Sequence, residues 1–186
     1  MFGSTIGSAV YPSYIQNGKK KMLPRPVVLS LPGRLGYQMM CNNIWLKELC
    51  QDISQLCLNH LQHNNNEYSR HIMMLLEVAK QKIPTSLRIC NTFFTQMVIV
   101  GGLDDYRVIG NHIDQEDLIS CILTIGDNNI QGGKTQYFDD HGSLQKEIAF
   151  QHGNLQIGHY DKILHGVTEW RNGRRITINF NVKKKN

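Results

Sequence analysis

The sequence lacks paired cysteine motifs, long apolar segments and a secretion signal. Its five cysteines include no C-x-x-C pair, which argues against the structural zinc sites built on that spacing and favours reduced thiols inside a cell. No apolar run approaches the roughly 18–20 residues that a membrane span requires. The opening MFGSTIGSAVYPSY has neither the basic start nor the apolar stretch of a signal peptide. We therefore expect an intracellular protein, cytoplasmic or nuclear, with no membrane partner.

Length and composition are those of one globular domain. Hydrophobic residues make up 41% and charged residues 19% of the 186 residues, which is typical of a globular protein. A chain of this length forms one core more readily than two, so a single domain over 1–186 is expected. The net charge of +5 permits attraction to polyanions. Much of the excess lies in lysine-rich runs at 18–22 and 182–186, and such runs are more often solvated segments than binding patches.

The first half of the chain contains a loop-rich segment followed by two helical patterns. Residues 1–40 are rich in Gly, Pro and Ser, with one apolar strand candidate at 26–32. Apolar residues then recur at helical spacing and predict helices at 41–62 and 69–82, the second ending before Pro84. The residues that carry this spacing are Trp45, Leu49, Ile53 and Leu56 in the first helix, and Ile72, Leu75, Leu76 and Ala79 in the second.

The pattern changes at about residue 87. Short segments rich in β-branched and aromatic residues follow one another, separated by Gly, Asp and Asn. These segments lie at 92–102, 106–114, 118–127, 133–139, 146–153, 154–160 and 174–182. Several short strands at close spacing predict a sandwich or a barrel. The expected fold class is therefore α+β, mainly β, with a β core over 87–182 and a supporting helical layer from 41–83.

The stretch GNHIDQEDLIS at 110–120 contains a candidate metal-binding pair. His112 and Asp114 point the same way if the strand is regular there, although His-x-Asp also arises by chance. Two imidazoles and one carboxylate on one face of a metal leave coordination positions open, which is diagnostic of non-haem Fe(II) oxygenases, whereas a structural zinc would need a fourth ligand. Of the eight histidines, His159 and His165 remain as candidates for a third ligand, because the others lie on the predicted helices or in glycine-containing turns.

Four residues in order resemble the signature of a known family. His112, Asp114, a distal His165 and Arg175 ten residues further on are similar to the motif of the Fe(II)- and 2-oxoglutarate-dependent dioxygenases. A lone His-x-Asp is a weak signal, but four elements in this order and spacing are more specific. The resemblance covers roughly residues 90–182, and the first ninety residues match no family that we recognise.

Further residues extend the resemblance. Members of the family often carry a Gly-Gly before a strand in the middle of the core, matched here by Gly132 and Gly133. They often carry a glycine about a dozen residues before the distal histidine, matched by Gly153. An Arg-x-Ser that holds the co-substrate in some members corresponds to Arg175 and Thr177, with threonine in place of serine.

The resemblance implies a fold, a set of cofactors and a reaction. The fold would be a double-stranded β-helix, or jelly roll, and the cofactors would be Fe(II) with 2-oxoglutarate and O2 as co-substrates. The reaction would hydroxylate or oxidatively demethylate a substrate C–H bond and release succinate and CO2. The metal ligands, which are then also the catalytic residues, would be His112, Asp114 and His165. Arg175 and Thr177 would bind 2-oxoglutarate, and the Tyr106 hydroxyl could reach it if its strand is unbroken.

The last strand candidate, RRITINFNV at 174–182, has strictly alternating residues. Such alternation indicates that one face is packed and the other is polar. The polar set is Arg175, Thr177, Asn179 and Asn181, and the apolar set is Ile176, Ile178, Phe180 and Val182. A polar face often simply meets solvent, but a buried carboxylate of 2-oxoglutarate would need a bidentate cation such as Arg175. Arg174 lies on the opposite face and is not expected to bind it.

Several alternatives remain open from the sequence. The substrate could be a nucleobase, a protein side chain or a small metabolite, so the alternatives include a macromolecular partner, either nucleic acid or protein. A protein of another class, a jelly roll that binds a ligand without turnover, is the alternative to an enzyme. The intact set of three ligands and an arginine favours the enzyme.

Overall fold

The computed structural model describes residues 43–102 and 107–184, together with the backbone of three earlier strands. These strands are β1 (Ser13–Gln16), β2 (Lys19–Met22) and β3 (Val27–Pro32). The strand predicted at 26–32 is confirmed as β3. The segment expected to be rich in loops also contains the β1–β2 hairpin, whose second strand carries the first lysine run. Tyr106 lies outside the described residues.

Two helices follow, α1 (Ile44–Asn64) and α2 (Glu67–Lys82). Each begins at an asparagine whose side-chain oxygen accepts a hydrogen bond from a first-turn amide: Asn43 from Leu46 at 3.2 Å and Asn66 from Ser69 at 2.8 Å. Asn65 ends α1 in the left-handed conformation with φ of 39°, which asparagine tolerates well. The turn between the two helices is therefore only two residues long. Neither helix is long and apolar enough to cross a membrane.

The apolar stripe predicted on α1 is partly wrong. Trp45, expected to serve packing, is 66% exposed, and Leu56 is also exposed. The residues that α1 buries are Cys50, Ile53, Ser54, Cys57 and Leu61. On α2 the predicted stripe is confirmed in the main, since Ile72, Leu76 and Ala79 are buried. At Cys57 the helix lies close to the sheet, with the Cys57 Sγ 3.2 Å from the Cys121 Sγ, so a small side chain fits there.

Nine further strands build two antiparallel sheets. They are β4 (Gln96–Gly102), β5 (Arg107–His112), β6 (Asp117–Gly126), β7 (Gln131–Gly132), β8 (Thr135–Phe138), β9 (Leu144–Ile148), β10 (Asn154–Gly158), β11 (Leu164–Arg171) and β12 (Arg175–Lys183). The first sheet has the order β10-β6-β12-β4-β3, and the second has the order β5-β11-β8-β9, with β7 paired to β11. Most neighbouring strands in these sheets are far apart in the chain, as they are in a jelly roll. The predicted double-stranded β-helix with a helical layer is confirmed, although no strand pairing among the described residues closes the two sheets into one barrel.

The first sheet has an apolar face and a polar face, and both are covered. Residues directly opposite one another on neighbouring strands share a face, so Phe180 lies in a row with Cys121 and Met97. This row belongs to the hydrophobic core that the helices complete. On the other face Arg175, Thr177 and Asn181 are also buried. The polar face of β12 therefore lies inside the jelly roll and does not meet solvent.

Candidate metal centre

The three predicted ligands lie together at one end of the second sheet. One ligand atom from each of His112, Asp114 and His165 lies within 4.8 Å of the others, and no other group of three such residues does so in the described part of the chain. The Nε2 of His112 is 3.6 Å from Asp114 Oδ1, and the Nε2 of His165 is 3.7 Å from Asp114 Oδ2. The carboxylate thus spans the two imidazoles, as ligands of one ion would.

Strand pairing and a turn together place these side chains. His112 is the last residue of β5 and lies directly opposite His165 of β11. Asp114 lies beyond the end of β5, so the expectation that His112 and Asp114 share a regular strand is wrong. The backbone N–H of Asp114 donates to the Tyr160 carbonyl at 3.0 Å, and the Asp117 N–H donates to the Asp114 carbonyl at 2.9 Å. These two bonds turn the chain so that the carboxylate returns towards His112.

Hydrogen bonds to the backbone set which nitrogen each histidine presents. The Nδ1 of His112 lies 2.8 Å from the Gly110 carbonyl, and the Nδ1 of His165 lies 2.9 Å from the Ile163 carbonyl. A carbonyl only accepts, so Nδ1 carries the proton and the lone pair of Nε2 is directed at the centre of the triad. Burial, and then the neighbouring His112, lower the pKa of His165. The lowered pKa favours the neutral imidazole of His165, which is the form that binds a metal.

Arg175 is buried on the inner face of β12, and no counterion among the described residues reaches it. It is 3% exposed, and its guanidinium carbon lies 5.7 Å from the Trp170 ring centroid. Its Nε has no hydrogen-bond partner in the described part of the chain. No carboxylate of the described residues pairs with it, and burial lowers its pKa to about 10. Arg174 lies on the opposite face as predicted, with a 63% exposed side chain 3.4 Å from an Asp127 oxygen.

Buried polar groups without a hydrogen-bond partner in the described structure lie on the same inner surface or against this arginine. Thr177 lies directly opposite Thr124 on the inner face of the first sheet. The Oγ1 of Thr124 and the Nε1 of Trp170 are buried and make no hydrogen bond within the described structure. Trp170 is fully buried, and nothing in the sequence indicated its contact with Arg175. The cluster as a whole presents hydrogen-bond donors to the interior.

The face of β8 that points inward is the one carrying Thr135 and Tyr137. Lys134 and Gln136 lie on the outside, where both donate to the Glu147 carboxylate. Tyr137 lies opposite His165 in the register.

Two further tyrosine and glutamine contacts were not predicted. The Tyr137 hydroxyl donates to the Gln156 side-chain oxygen and lies 3.0 Å from the Tyr160 hydroxyl. The Tyr160 ring meets the His165 ring edge-on, with centroids 4.8 Å apart. This network bridges the two sheets beside the triad, because Gln156 belongs to β10 of the first sheet. Its members are separated in sequence and show no local pattern.

The glycine pair noted in the sequence is required by close approach to β11 and β12. A Cβ on Gly132 would lie 2.1 Å from the Glu169 carbonyl oxygen. A Cβ on Gly133 would lie 3.2 Å from Arg175 Cδ and 3.3 Å from Trp170 Cβ. Both glycines also have positive φ. The pair therefore lets the chain pass directly beside the buried arginine.

Replacing Gly132 by alanine is expected to lower the free energy of unfolding by at least about 2 kcal/mol, from left-handed strain together with a backbone collision. Gly142→Ala is the matched control, because Gly142 has φ of +79° but a Cβ there meets nothing within 4 Å. Chemical denaturation measures the free energy of unfolding of both variants. The difference between them cancels the cost of a left-handed alanine, which the two variants share, and leaves the cost of the collision. Equal losses in the two variants would contradict the close approach at Gly132.

Comparison with known proteins shows a likeness in fold. No family model matches the chain, and no curated protein matches it. NgTET1 in complex with 5mC DNA is 15% identical, with a TM-score of 0.48, over 59% of this chain and 41% of that chain. An oxidoreductase of the 2OG-Fe(II) oxygenase family from Burkholderia pseudomallei is 18% identical, with a TM-score of 0.39, over 47% and 42% of the two chains. A Pseudomonas putida prolyl-4-hydroxylase is 15% identical, with a TM-score of 0.39, over 46% and 50%.

This chain thus spans half or less of the length of these three structures. Likeness at such scores does not carry an activity from one protein to another, since one fold hosts many functions. Function is therefore argued from the side chains of the site.

Proposed function

We propose that the protein is an Fe(II)- and 2-oxoglutarate-dependent dioxygenase. The observation that carries the proposal is the combination of two elements within one jelly roll. Ligand atoms of His112, Asp114 and His165 lie within 4.8 Å of one another, and a buried Arg175, unpaired with any carboxylate of the described residues, lies on the facing sheet. The first element suits a metal with open coordination positions, and the second suits an anion.

The donor set fits Fe(II). Two imidazole nitrogens, from His112 and His165, and the Asp114 carboxylate match the facial ligand set of non-haem Fe(II) oxygenases. A structural zinc site would need a fourth protein ligand, and the group of candidate ligands in the described residues has three members. The backbone hydrogen bonds to both Nδ1 atoms are the outer contacts that orient metal-binding histidines.

The interior fits a co-substrate with a carboxylate at its far end. A buried cation without a partner is costly, so a guanidinium kept inside a protein implies an anion that pairs with it. Arg175 can hold a carboxylate through two parallel hydrogen bonds. The hydroxyls of Thr124 and Thr177 and the indole N–H of Trp170 lie on the same inner surface or against the arginine. 2-Oxoglutarate carries such a carboxylate and, at its other end, a 2-oxo acid for the metal.

In this proposal the residues of the chain bind the metal and the co-substrate, orient them and shield them from water. His112, Asp114 and His165 would hold Fe(II), and Arg175 would hold the distal carboxylate. When bound, Fe(II), 2-oxoglutarate and O2 supply the oxidation of a substrate C–H bond with release of succinate and CO2. Tyr137 and its hydrogen-bond partners close the gap between the sheets beside the triad and so limit the entry of water. No protein base is required.

Succinate formation tests the proposal directly. Purified protein supplied with Fe(II), 2-oxoglutarate and O2 is expected to form succinate, and a chelator or omission of any component should stop it. Single- and double-stranded nucleic acids, acidic and basic peptides, and small acids and amines should be screened for stimulation. Failure to bind Fe(II) or 2-oxoglutarate would contradict the proposal. Binding of both without succinate on any substrate would favour a ligand-binding jelly roll.

A further inference from the structure

A lysine just beyond the last strand connects two loops. The backbone N–H of Lys184 donates to the Glu116 carbonyl at 2.9 Å. Its Nζ donates to the Gln115 carbonyl at 2.9 Å and lies 2.8 Å from Asp161 Oδ2. The Asp161 side chain is 2% exposed, so its carboxylate depends on protein groups in place of water. One ammonium group therefore serves a backbone carbonyl on one loop and a buried carboxylate on the other.

The first of these loops carries a predicted metal ligand. Gln115 and Glu116 follow Asp114 directly and lead into β6. The Asp117 N–H donates to the Asp114 carbonyl within this turn. Holding the Gln115 carbonyl in place therefore restrains the turn that returns the Asp114 carboxylate to His112.

The second loop makes hydrogen bonds to Asp114 and His165, two of the predicted metal ligands. It runs from the end of β10 to the start of β11 and includes Asp161. Within it the Tyr160 carbonyl accepts the Asp114 N–H at 3.0 Å, and the Ile163 carbonyl lies 2.9 Å from the His165 Nδ1. A displacement of this loop would thus move the backbone partner of Asp114 and the group that sets the tautomer of His165.

We propose that Lys184 is a positioning residue for the metal centre, joining the Asp114 turn to the loop before His165 through Gln115 and Asp161. The inference rests on the proposed function, because it assigns Lys184 a role only if the triad binds a metal. Lys184 itself touches no predicted ligand side chain among the described contacts. Its effect passes through the two loops. Such outer contacts commonly change metal affinity by about tenfold to a hundredfold when they are lost.

The buried carboxylate complicates a simple deletion, and the chain offers a way to separate the two effects. Removing Lys184 alone leaves Asp161 with one partner among the described ion pairs, the Nδ1 of His159 at 3.4 Å from its other oxygen. A buried charge that loses its partner is strongly destabilising. The paired variant Asp161→Asn/Lys184→Met removes both charges together. It should keep the stability of the fold while still losing the link from Lys184 to Gln115.

Anaerobic titration with Co(II), followed by its visible absorption, tests the inference without requiring activity. Lys184→Met and the paired variant are each expected to bind Co(II) roughly tenfold or more weakly than the wild type. Lys184→Arg should recover most of the affinity, because a guanidinium can reach both partners. Lys134→Met is the matched control: Lys134 also forms an ion pair, with Glu147 at 2.5 Å, but on the outer surface of the second sheet, and its loss should leave Co(II) affinity unchanged.

The outcomes separate this inference from the proposed function. Wild-type affinity in the paired variant would overturn the positioning role, because the link to Gln115 would then be dispensable. Equal weakening in Lys134→Met would overturn it as well, since any lost surface lysine would have the same effect. A wild-type protein that binds no Co(II) would overturn the proposed function, and the positioning role with it. If Lys184→Met alone does not fold, the paired variant still decides the question.

Discussion

Asp114→Ala is expected to abolish tight binding of Fe(II). Asp114 supplies the only formal charge of the triad, and its two oxygens face the Nε2 atoms of His112 and His165 at 3.6 and 3.7 Å. Without it two neutral nitrogens remain, too few to hold a divalent ion firmly. The loss in affinity should exceed the roughly hundredfold upper range seen when outer-shell partners are removed. Turnover that depends on iron should be lost with it.

The fold should survive this substitution. The backbone N–H and carbonyl of Asp114, which make the hydrogen bonds of its turn, are kept in the alanine variant. Anaerobic Fe(II) titration together with circular dichroism separates metal loss from unfolding. Asp140→Ala is the matched control, since Asp140 is an exposed carboxylate in the turn between β8 and β9. If the double variant His112→Ala/Asp114→Ala still bound one Fe(II) tightly, the metal site would lie elsewhere.

The sequence predicted correctly those features of the fold that follow from the alternation of polar and apolar residues along one strand. In β12 the change of residue type at every position correctly separated Arg175 from Arg174, and the structure buries the first and exposes the second. The same alternation could not say whether the polar face met solvent or the interior. That depends on the second sheet, whose position is set by pairings such as His165 with His112 across 53 positions of the chain. The resemblance to a family, which implies that Arg175 binds a co-substrate, indicated that this polar face lies inside.

The errors on α1 have a different cause. Trp45 and Leu56 occur at helical spacing, and large apolar residues usually mark the buried face. The structure buries Cys50 and Cys57 instead, because the helix approaches β6 too closely for larger side chains at Cys57. Free cysteine is among the most buried residue types. Counting the cysteines as core residues would have rotated the predicted stripe towards the observed face.

The contacts that refine the candidate site were beyond sequence reasoning. Asp114 is held by the Tyr160 carbonyl, a backbone group whose availability no residue type reveals. Lys184 stands in a lysine run that composition alone assigned to solvated chain, yet its Nζ reaches Asp161 at 2.8 Å. Such contacts arise from how loops meet after the sheets have formed. The residue pattern of a single segment therefore cannot predict these contacts between loops.

Arg175→Met is expected to have opposite effects on stability and on co-substrate binding. Burial lowers the pKa of Arg175 to about 10, below the 12.5 of a free guanidinium, so the charged form is disfavoured in the folded protein. The cost is present in full at neutral pH, is on the order of 3 kcal/mol, and declines only as the pH rises above 10. Replacing the cation by an apolar side chain of similar length removes this cost. Without ligand, the variant should be more stable by roughly 1–3 kcal/mol.

With 2-oxoglutarate the same substitution should be harmful. Breaking a buried ion pair by removing one partner costs about 3–5 kcal/mol, which at tenfold per 1.4 kcal/mol predicts an affinity weaker by about a hundredfold or more. Calorimetric titration of the metal-loaded protein measures this affinity. Thermal denaturation with and without 2-oxoglutarate measures both effects. The variant should be more stable than the wild type without ligand, and the ligand should stabilise the wild type but not the variant.

Arg174→Met provides the comparison that makes the result specific to one face of β12. Its side chain is largely exposed and pairs with Asp127, and surface pairs of this kind contribute about 0–1 kcal/mol. It should therefore change the affinity for 2-oxoglutarate by less than about threefold. Equal losses from the two substitutions would show that the register of β12 is misassigned. A variant Arg175→Met that is less stable without ligand would show instead that the arginine already has an anionic partner within the protein, and the argument for a bound carboxylate would fail.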